Sequence, residues 1–422
     1  MKNFRDGGVQ FDHLNKAGGR DVATDSEEDR KVGQGVSERF PMQVITGVAG
    51  DFARLYSNYI EPPIEFFFLS FLTCLGSVLA NRLTLASEIE QQPRLYTLLL
   101  GESATVRKST AISKTTKFFK EFVEEFFNPD ATGPLLPRFN RMWGAGSAEG
   151  LQKGLNESSP LLLVIDELKA FMGKCKIQSS VLLPCVNTLF EQNDYQNKTA
   201  NSDIKLEGVH LSLLSACTVE TYESAWDASF TDIGFTNRIF IVPAGGDKRF
   251  SMPRRITEKE KQYIKLMLYG MLHWIGEGFE LSISESARRK YDKWYDNLER
   301  SIHTKRLDTY AVRFMLLFAV NDFKAEIDEV VVEKAVALAN WQLAMRRQYD
   351  PIDAETKVAV MEERIRRRLM IKPHSDRELR QCCNANRSGI RIYQWALDNL
   401  KSVGEVSFDS EAKVWRYCDS ID

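Results

Sequence analysis

Tyr96–Ala111 reads YTLLLGESATVRKSTA, and Leu161–Glu167 reads LLLVIDE. The first is a short apolar run, then glycine, a small polar loop, Lys-Ser and a helical stretch. The second is an apolar run ending in two carboxylates. A strand is predicted over Arg94–Gly101 and a helix from about Ser109 to Phe127, closed by Asn128-Pro129. A loop at such a strand-to-helix junction points free N–H groups and the positive end of the helix dipole at a bound anion. The candidate binding residues are Gly101, Ser103, Arg107, Lys108, Ser109 and Thr110. Lys108 would reach the β/γ-phosphates, and the Ser109 hydroxyl would hold Mg²⁺. The motif departs from GxxxxGK[ST]: Arg107 replaces the glycine before the lysine, and Gly101 stands one position early.

Asp166 and Glu167 follow Lys108 by 58 and 59 positions at the end of an apolar run. In that place Asp166 would hold Mg²⁺ and Glu167 would orient the attacking water. Apolar runs at His210–Cys217 and Arg238–Gly246 read as further strands, and alternation with helical segments argues for a parallel sheet covered by helices. Thr218, at the tip of the third strand, is a candidate γ-phosphate sensor, with Ser215 competing. Arg238 precedes the last strand and could supply charge to a neighbouring subunit's γ-phosphate, or form a surface salt bridge. Arg313, on the apolar helix AVRFMLLFAV, is a further phosphate-sensing candidate or a buried partner.

With 422 residues, 43% apolar and 27% charged, the chain has the composition of a soluble protein of two or three domains at ~150 residues each. A formal net charge of −2 excludes a uniformly basic coat for nucleic acid. The sum hides a contrast, because residues 357–418 carry 13 Lys+Arg against 8 Asp+Glu, a net of +5. Seven cysteines without a CxxC pair, and five scattered histidines, read as reduced intracellular thiols rather than a disulfide framework or zinc site; the expected location is cytoplasmic. No signal peptide is recognised. The most apolar stretch, Phe66–Ala80, is 15 residues long, short of the ~20 of a membrane span.

The boundaries read from composition are a disordered tail over 1–40, a helical N-terminal part over 41–93 with helices at 42–60 and 64–82, an ATPase core over 94–250, a helical lid over 251–350 and a last domain over 355–419. That domain reads as three helices (354–370, 375–383, 388–402) and a hairpin at 405–418, a winged helix-turn-helix. Ile392, Trp395, Ala396 and Leu400 are its third helix's expected inward face. Arg387, Arg391 and Lys413 are candidate phosphate contacts for DNA.

Four stretches carry a resemblance: EPPIEFFFLSFLTCLGSVLANRL, YTLLLGESATVRKSTA, GSAEGLQKGL before LLLVIDEL, and GFTNRIFIVPA. Together they resemble an uncharacterised ATPase family common in phages, plasmids and integrated mobile elements, described as primase–helicase-like. The resemblance covers roughly residues 41–340. It implies an α/β P-loop NTPase with an AAA+-like parallel sheet and helices on both faces; the expected order is that core, a helical lid and then the winged helix read above. It also implies Lys108 and Ser109 on phosphate and Mg²⁺, Asp166 and Glu167 as the metal and water pair, and Arg238 as an arginine acting in trans. The expected activity is ATP hydrolysis coupled to DNA translocation or unwinding by a ring, a hexamer in the simplest case. No primase constellation is present, so a separate primase is an expected partner. The alternatives are a non-unwinding ATPase switch recruiting DNA or protein and, behind it, a kinase-like phosphotransferase.

Overall fold

The computed structural model describes residues 38–102, 106–127, 137–177, 180–198, 203–226, 230, 234–246, 249–352 and 356–418. The expected tail, apart from residues 38–40, lies outside them. Five strands form the central sheet: β1 (Tyr96–Leu100), β2 (Asn140–Trp143), β3 (Leu161–Ile165), β4 (Leu211–Cys217) and β5 (Phe240–Pro243). All pair in parallel, in the order β2-β3-β4-β1-β5. The apolar runs of β1, β3, β4 and β5 are buried throughout, as parallel strands covered on both sides must be.

Side chains of one strand show the two covered faces. Thr97 Oγ1 lies 2.7 Å from Thr73 Oγ1 on α1 (Ile64–Val78), whereas Tyr96 donates its hydroxyl to Val186 O, 2.8 Å away, on α3 (Leu182–Thr188). Successive strand residues point to opposite faces, so α1 and α3 sandwich the sheet. Residues from Phe66 to Val78 are all buried, which accounts for a 15-residue apolar run without a membrane. Among the described residues no helix is long and apolar enough to cross one. The helix after the Lys-Ser pair is α2 (Lys108–Phe126). A seven-residue helix, α4 (Val219–Ala225), follows β4.

Two helices of the expected lid, α5 (Leu307–Asn321) and α6 (Glu329–Tyr349), lie against the sheet instead of standing over the loop. Their aromatic residues account for this. Phe240 of β5 meets Tyr310 and Phe314 at centroid separations of 5.2 and 5.0 Å, and Trp341 at 6.2 Å. One continuous hydrophobic core therefore runs from Val44 to Tyr349. A second core, from Met361 to Val406, belongs to the C-terminal part.

β5 is an outer strand, and its open edge meets α6. The Gln342 carboxamide, fully buried, lies 2.8 Å from Ile241 O and 3.1 Å from Ile241 N, oriented to donate to the first and accept from the second. A side chain thus stands in for the missing neighbouring strand.

The C-terminal part holds α7 (Lys357–Ile371), β6 (His374–Ser375), α8 (Asp376–Cys382), α9 (Ile390–Ser402), β7 (Val406–Asp409) and β8 (Val414–Tyr417). β6 and β7 both pair antiparallel with β8. Ser375 caps α8 in a reciprocal capping box with Glu378. Of the expected inward face of α9, Ala396 and Leu400 are buried and Ile392 packs against the same core; Trp395 is corrected. Tyr393, Ala396, Leu397 and Leu400 are buried, while Trp395 is 62% exposed. Tyr393 occupies the position in phase with Ala396 and Leu400, and that rotation turns Trp395 outward.

Gln342→Leu keeps the volume but leaves the Ile241 N–H and C=O unpaired. It should cost roughly 3 kcal/mol, seen as a lower urea midpoint with an unchanged slope.

Candidate functional site

Three pieces converge at the C-terminal end of the sheet: the loop after β1, the Asp-Glu pair after β3 and the tip of β4. β4 lies between β1 and β3, so Thr218 sits between the loop and the carboxylates. Lys108 is half-buried, at the first position of α2, and donates to Gly101 O (2.8 Å) and Glu102 O (3.0 Å). Partial burial lowers its pKa; Cys217, Glu220, Asp166 and Glu102 work against that, a sign that their charges lie near its ammonium. Burial likewise pushes the Cys217 thiol up to about 12.

The unusual residue before Lys108 now has a physical account. Arg107 adopts the left-handed conformation, φ 49° and ψ 43°, which glycine enters without strain. Its guanidinium ion-pairs with Glu61 (Nε–Oε2 2.5 Å), whose side chain is only 8% exposed. The loop therefore keeps a glycine-like backbone with an arginine, and the ion pair offsets the strain. Gly101 answers a different need. A Cβ there would come within 2.8 Å of Ala244 O, beyond the end of β5, so its glycine serves packing of the strand ends.

Ser109 and Asp166 are exposed at this end of the sheet and make no hydrogen bond or ion pair with another described residue. Glu167, also exposed, opens the helix Leu168–Cys175. Thr110 is half-buried one position further along α2; Ser103 lies outside the described residues. Among the described residues no group of three or more His, Cys, Asp or Glu could hold a metal by itself. A hydroxyl and one carboxylate do suit Mg²⁺, which binds through one or two protein oxygens together with phosphates and water.

Thr218 caps α4: its hydroxyl accepts from Thr221 N (3.1 Å) and donates to Thr221 Oγ1 (3.0 Å). Ser215 is fully buried and donates to Thr97 O at 3.2 Å, so the interior of the sheet takes it out of the competition. Glu220, in the first turn of α4, was missed in the sequence. Its one signal was an acidic residue three positions beyond an apolar strand.

Arg238 and Arg313 stand at the other end of the sheet. Phe240 pairs with Thr97 and Pro243 with Leu100, so Phe240 is about 13 Å along the strand direction from the level of Gly101, and Arg238 precedes it on the turn. Arg238 is half-buried and donates to Gly234 O at 2.9 Å. Arg313 is 1% exposed and donates to Arg94 O (3.1 Å) and Phe190 O (2.7 Å), with its guanidinium carbon 3.9 Å from the Phe190 ring centroid. The phosphate-sensing candidate is thus corrected: Arg313 is buried at the end away from the loop and holds main-chain carbonyls. Two further buried arginines were missed. Arg94 donates to Leu189 O and Gln192 O, and Arg346 to His303 O, Lys305 O and Asn237 O.

In the C-terminal part the basic cluster of α7 is engaged internally. Arg366 pairs with Glu405 and Glu363, Arg367 with Glu363, and Arg368 with Glu223 of α4 at 2.8 Å. Arg387, Arg391 and Lys413 are exposed and make no ion pair with a described residue. Compared with known proteins, the chain matches no family model and no curated protein.

Two outcomes follow. Arg107→Gly relieves about 1 kcal/mol of backbone strain but strands the Glu61 carboxylate, so it should lower the melting temperature. Adding Glu61→Gln should recover part of the loss. Arg313→Lys loses a forked donor that one ammonium cannot replace, so it should cost about 2 kcal/mol in urea unfolding. Nucleotide affinity of the folded variant should match that of the parent, measured by fluorescent-nucleotide titration.

Proposed function

We propose that the chain is a Mg²⁺-dependent ATPase of P-loop, AAA+-like architecture that assembles as a ring and works on DNA in the replication of a mobile element. The observation that carries this reading is the division of labour between the two ends of the sheet. Lys108, Ser109, Asp166, Glu167 and Thr218 gather at one end, while Arg238 stands at the other, before Phe240, which is itself about 13 Å along the strand from the level of Gly101. In this reading an arginine there serves the loop of a neighbouring copy and not its own.

In this reading Lys108 gives up the carbonyls of Gly101 and Glu102 and meets the β/γ-phosphates. Ser109 and Asp166 hold Mg²⁺, which neutralises charge on the phosphates when bound. Glu167 orients the water for in-line attack, and Thr218 senses the γ-phosphate. Arg238 of the adjacent copy stabilises the charge of the transferring phosphoryl group. The C-terminal part, read as a winged helix, offers Arg387, Arg391 and Lys413 to DNA phosphates. They are among the cations of this part that no ion pair with a described residue engages, whereas Arg366, Arg367 and Arg368 of α7 have found partners. Their contribution is electrostatic and therefore local and salt-dependent. A separate primase remains the expected partner for priming.

One observation favours the switch reading. α4 begins at Thr218 beside the loop and reaches α7 through Glu223–Arg368, a direct connection from the nucleotide end to the C-terminal part. A switch would bind DNA in an ATP-dependent way and leave a fork intact; a helicase would open it.

Lys108→Ala should abolish ATP hydrolysis, and Glu167→Gln should bind ATP tightly with turnover down by at least ~100-fold. Steady-state ATPase assays with and without single- and double-stranded DNA test both. Unchanged turnover in Lys108→Ala would overturn the assignment.

A further inference from the structure

Arg238 lies on a short turn, Thr236–Arg238, between Phe235 and β5. A finger arginine accelerates hydrolysis only if its guanidinium is held in place before the reaction, within roughly 0.5 Å of its working position. A three-residue turn does not supply that stiffness by itself. The turn's own main-chain bonds are few: Arg238 N to Phe235 O (2.9 Å) and Ile239 N to Thr236 O (3.2 Å).

The stiffness comes from two buried side chains on the helices behind the turn. Arg346 of α6 sends Nη2 to Asn237 O (2.8 Å), with Ile239 O at 3.5 Å, and Nη1 to His303 O (3.0 Å) and Lys305 O (2.7 Å). Tyr310 of α5 donates its hydroxyl to Arg238 O at 2.7 Å, with Tyr96 O at 3.1 Å. Three consecutive carbonyls, those of Asn237, Arg238 and Ile239, are thus pointed at by two side chains that are themselves buried to 1% exposure or less. A buried guanidinium aimed at main-chain carbonyls costs desolvation and is retained only where its fork is used.

We propose that Arg346 and Tyr310 are positioning residues for Arg238. They lock the backbone on both sides of it, so that the side chain is presented to a neighbouring copy in one orientation. The inference rests on the trans-arginine reading of Arg238. It adds that the helices first expected to form a lid act on the neighbour's site by fixing the finger.

The test is subunit complementation in the full chain. Tyr310→Phe removes one hydroxyl and keeps the ring; Arg346→Lys keeps the charge and loses the fork. Each should bind fluorescent ATP within about twofold of the parent, assemble to the same mass with a non-hydrolysable nucleotide, and turn over at least ~10-fold more slowly. Lys108→Ala copies have a disabled loop but an intact finger. Mixing them with either variant should restore turnover, because the variant's intact loop then meets a well-held Arg238. A residue that merely supports its own subunit's site would not be rescued this way.

Arg238→Ala mixed with Lys108→Ala is the reference. If that mixture recovers turnover and the Tyr310→Phe and Arg346→Lys mixtures do not, the positioning role is overturned while the trans finger stands. If the reference mixture also recovers nothing, the trans reading falls and this inference with it. Parental turnover in Tyr310→Phe and Arg346→Lys alone would overturn the proposal as well. Should Arg346→Lys fail to fold, the isosteric Tyr310→Phe carries the test.

Discussion

A parallel sheet whose last strand has an open edge needs something to satisfy that edge, and here polar side chains of α6 do it. Gln342 meets both main-chain groups of Ile241, and Arg346, one helical turn on, takes the carbonyls that flank Arg238. Helix spacing places both on the strip that faces the strand. The aromatic contacts of Phe240 with Tyr310, Phe314 and Trp341 then fill the space around them. With β5 held, Ala244 can close on Leu100, and Gly101 is pressed to the point where a side chain would not fit. The start of the loop is therefore set by a contact made on β5.

The two ends of the sheet carry opposite chemistry. At the N-terminal end, Arg94, Arg313 and Arg346 are fully buried, and each is answered by main-chain carbonyls. Burial lowers all three guanidinium pKa values, to about 9 for Arg313 and about 10 for Arg94. The carbonyls of Leu189, Phe190 and Gln192 come from just past the C-terminus of α3, where a helix presents unpaired acceptors and negative potential. Charged donors there tie loops together without using a carboxylate. At the C-terminal end the groups left open are Ser109, Asp166 and Glu167, which are exposed. At one end buried guanidinium groups are spent on main-chain carbonyls, and at the other exposed polar groups are left open.

This contrast also explains what could be read in the sequence. β1, β3, β4 and β5 were legible because a strand buried on both faces must be apolar throughout and must end in glycine or a polar tip. β2 was not, because Asn140–Trp143 is an outer strand with partly exposed residues and no such run. Lys108, Ser109, Asp166 and Glu167 came from local pattern, and the structure places them at one end. Arg313 misled because an arginine on an apolar helix has the same appearance whether it faces a phosphate or a buried carbonyl; only depth separates the two. Trp395 misled through helical phase, since the face that buries Ala396 and Leu400 takes Tyr393 and Leu397 with it and turns Trp395 outward. Arg107 was legible as a missing glycine, but its left-handed backbone and its pairing with Glu61, 46 positions earlier, needed the fold.

The placement of Tyr310 bears on how such a molecule could link its sites. Its hydroxyl donates to Arg238 O at 2.7 Å, with Tyr96 O, at the start of β1, at 3.1 Å. β1 is five residues long, hydrogen-bonded on both sides and fully buried, so it is the stiffest path available between its ends. The loop that begins at Gly101 is attached to one end, and the Arg238 turn is attached through Tyr310 to the other. The loop end of β1 and the Arg238 turn are thus joined by one strand and one hydroxyl group.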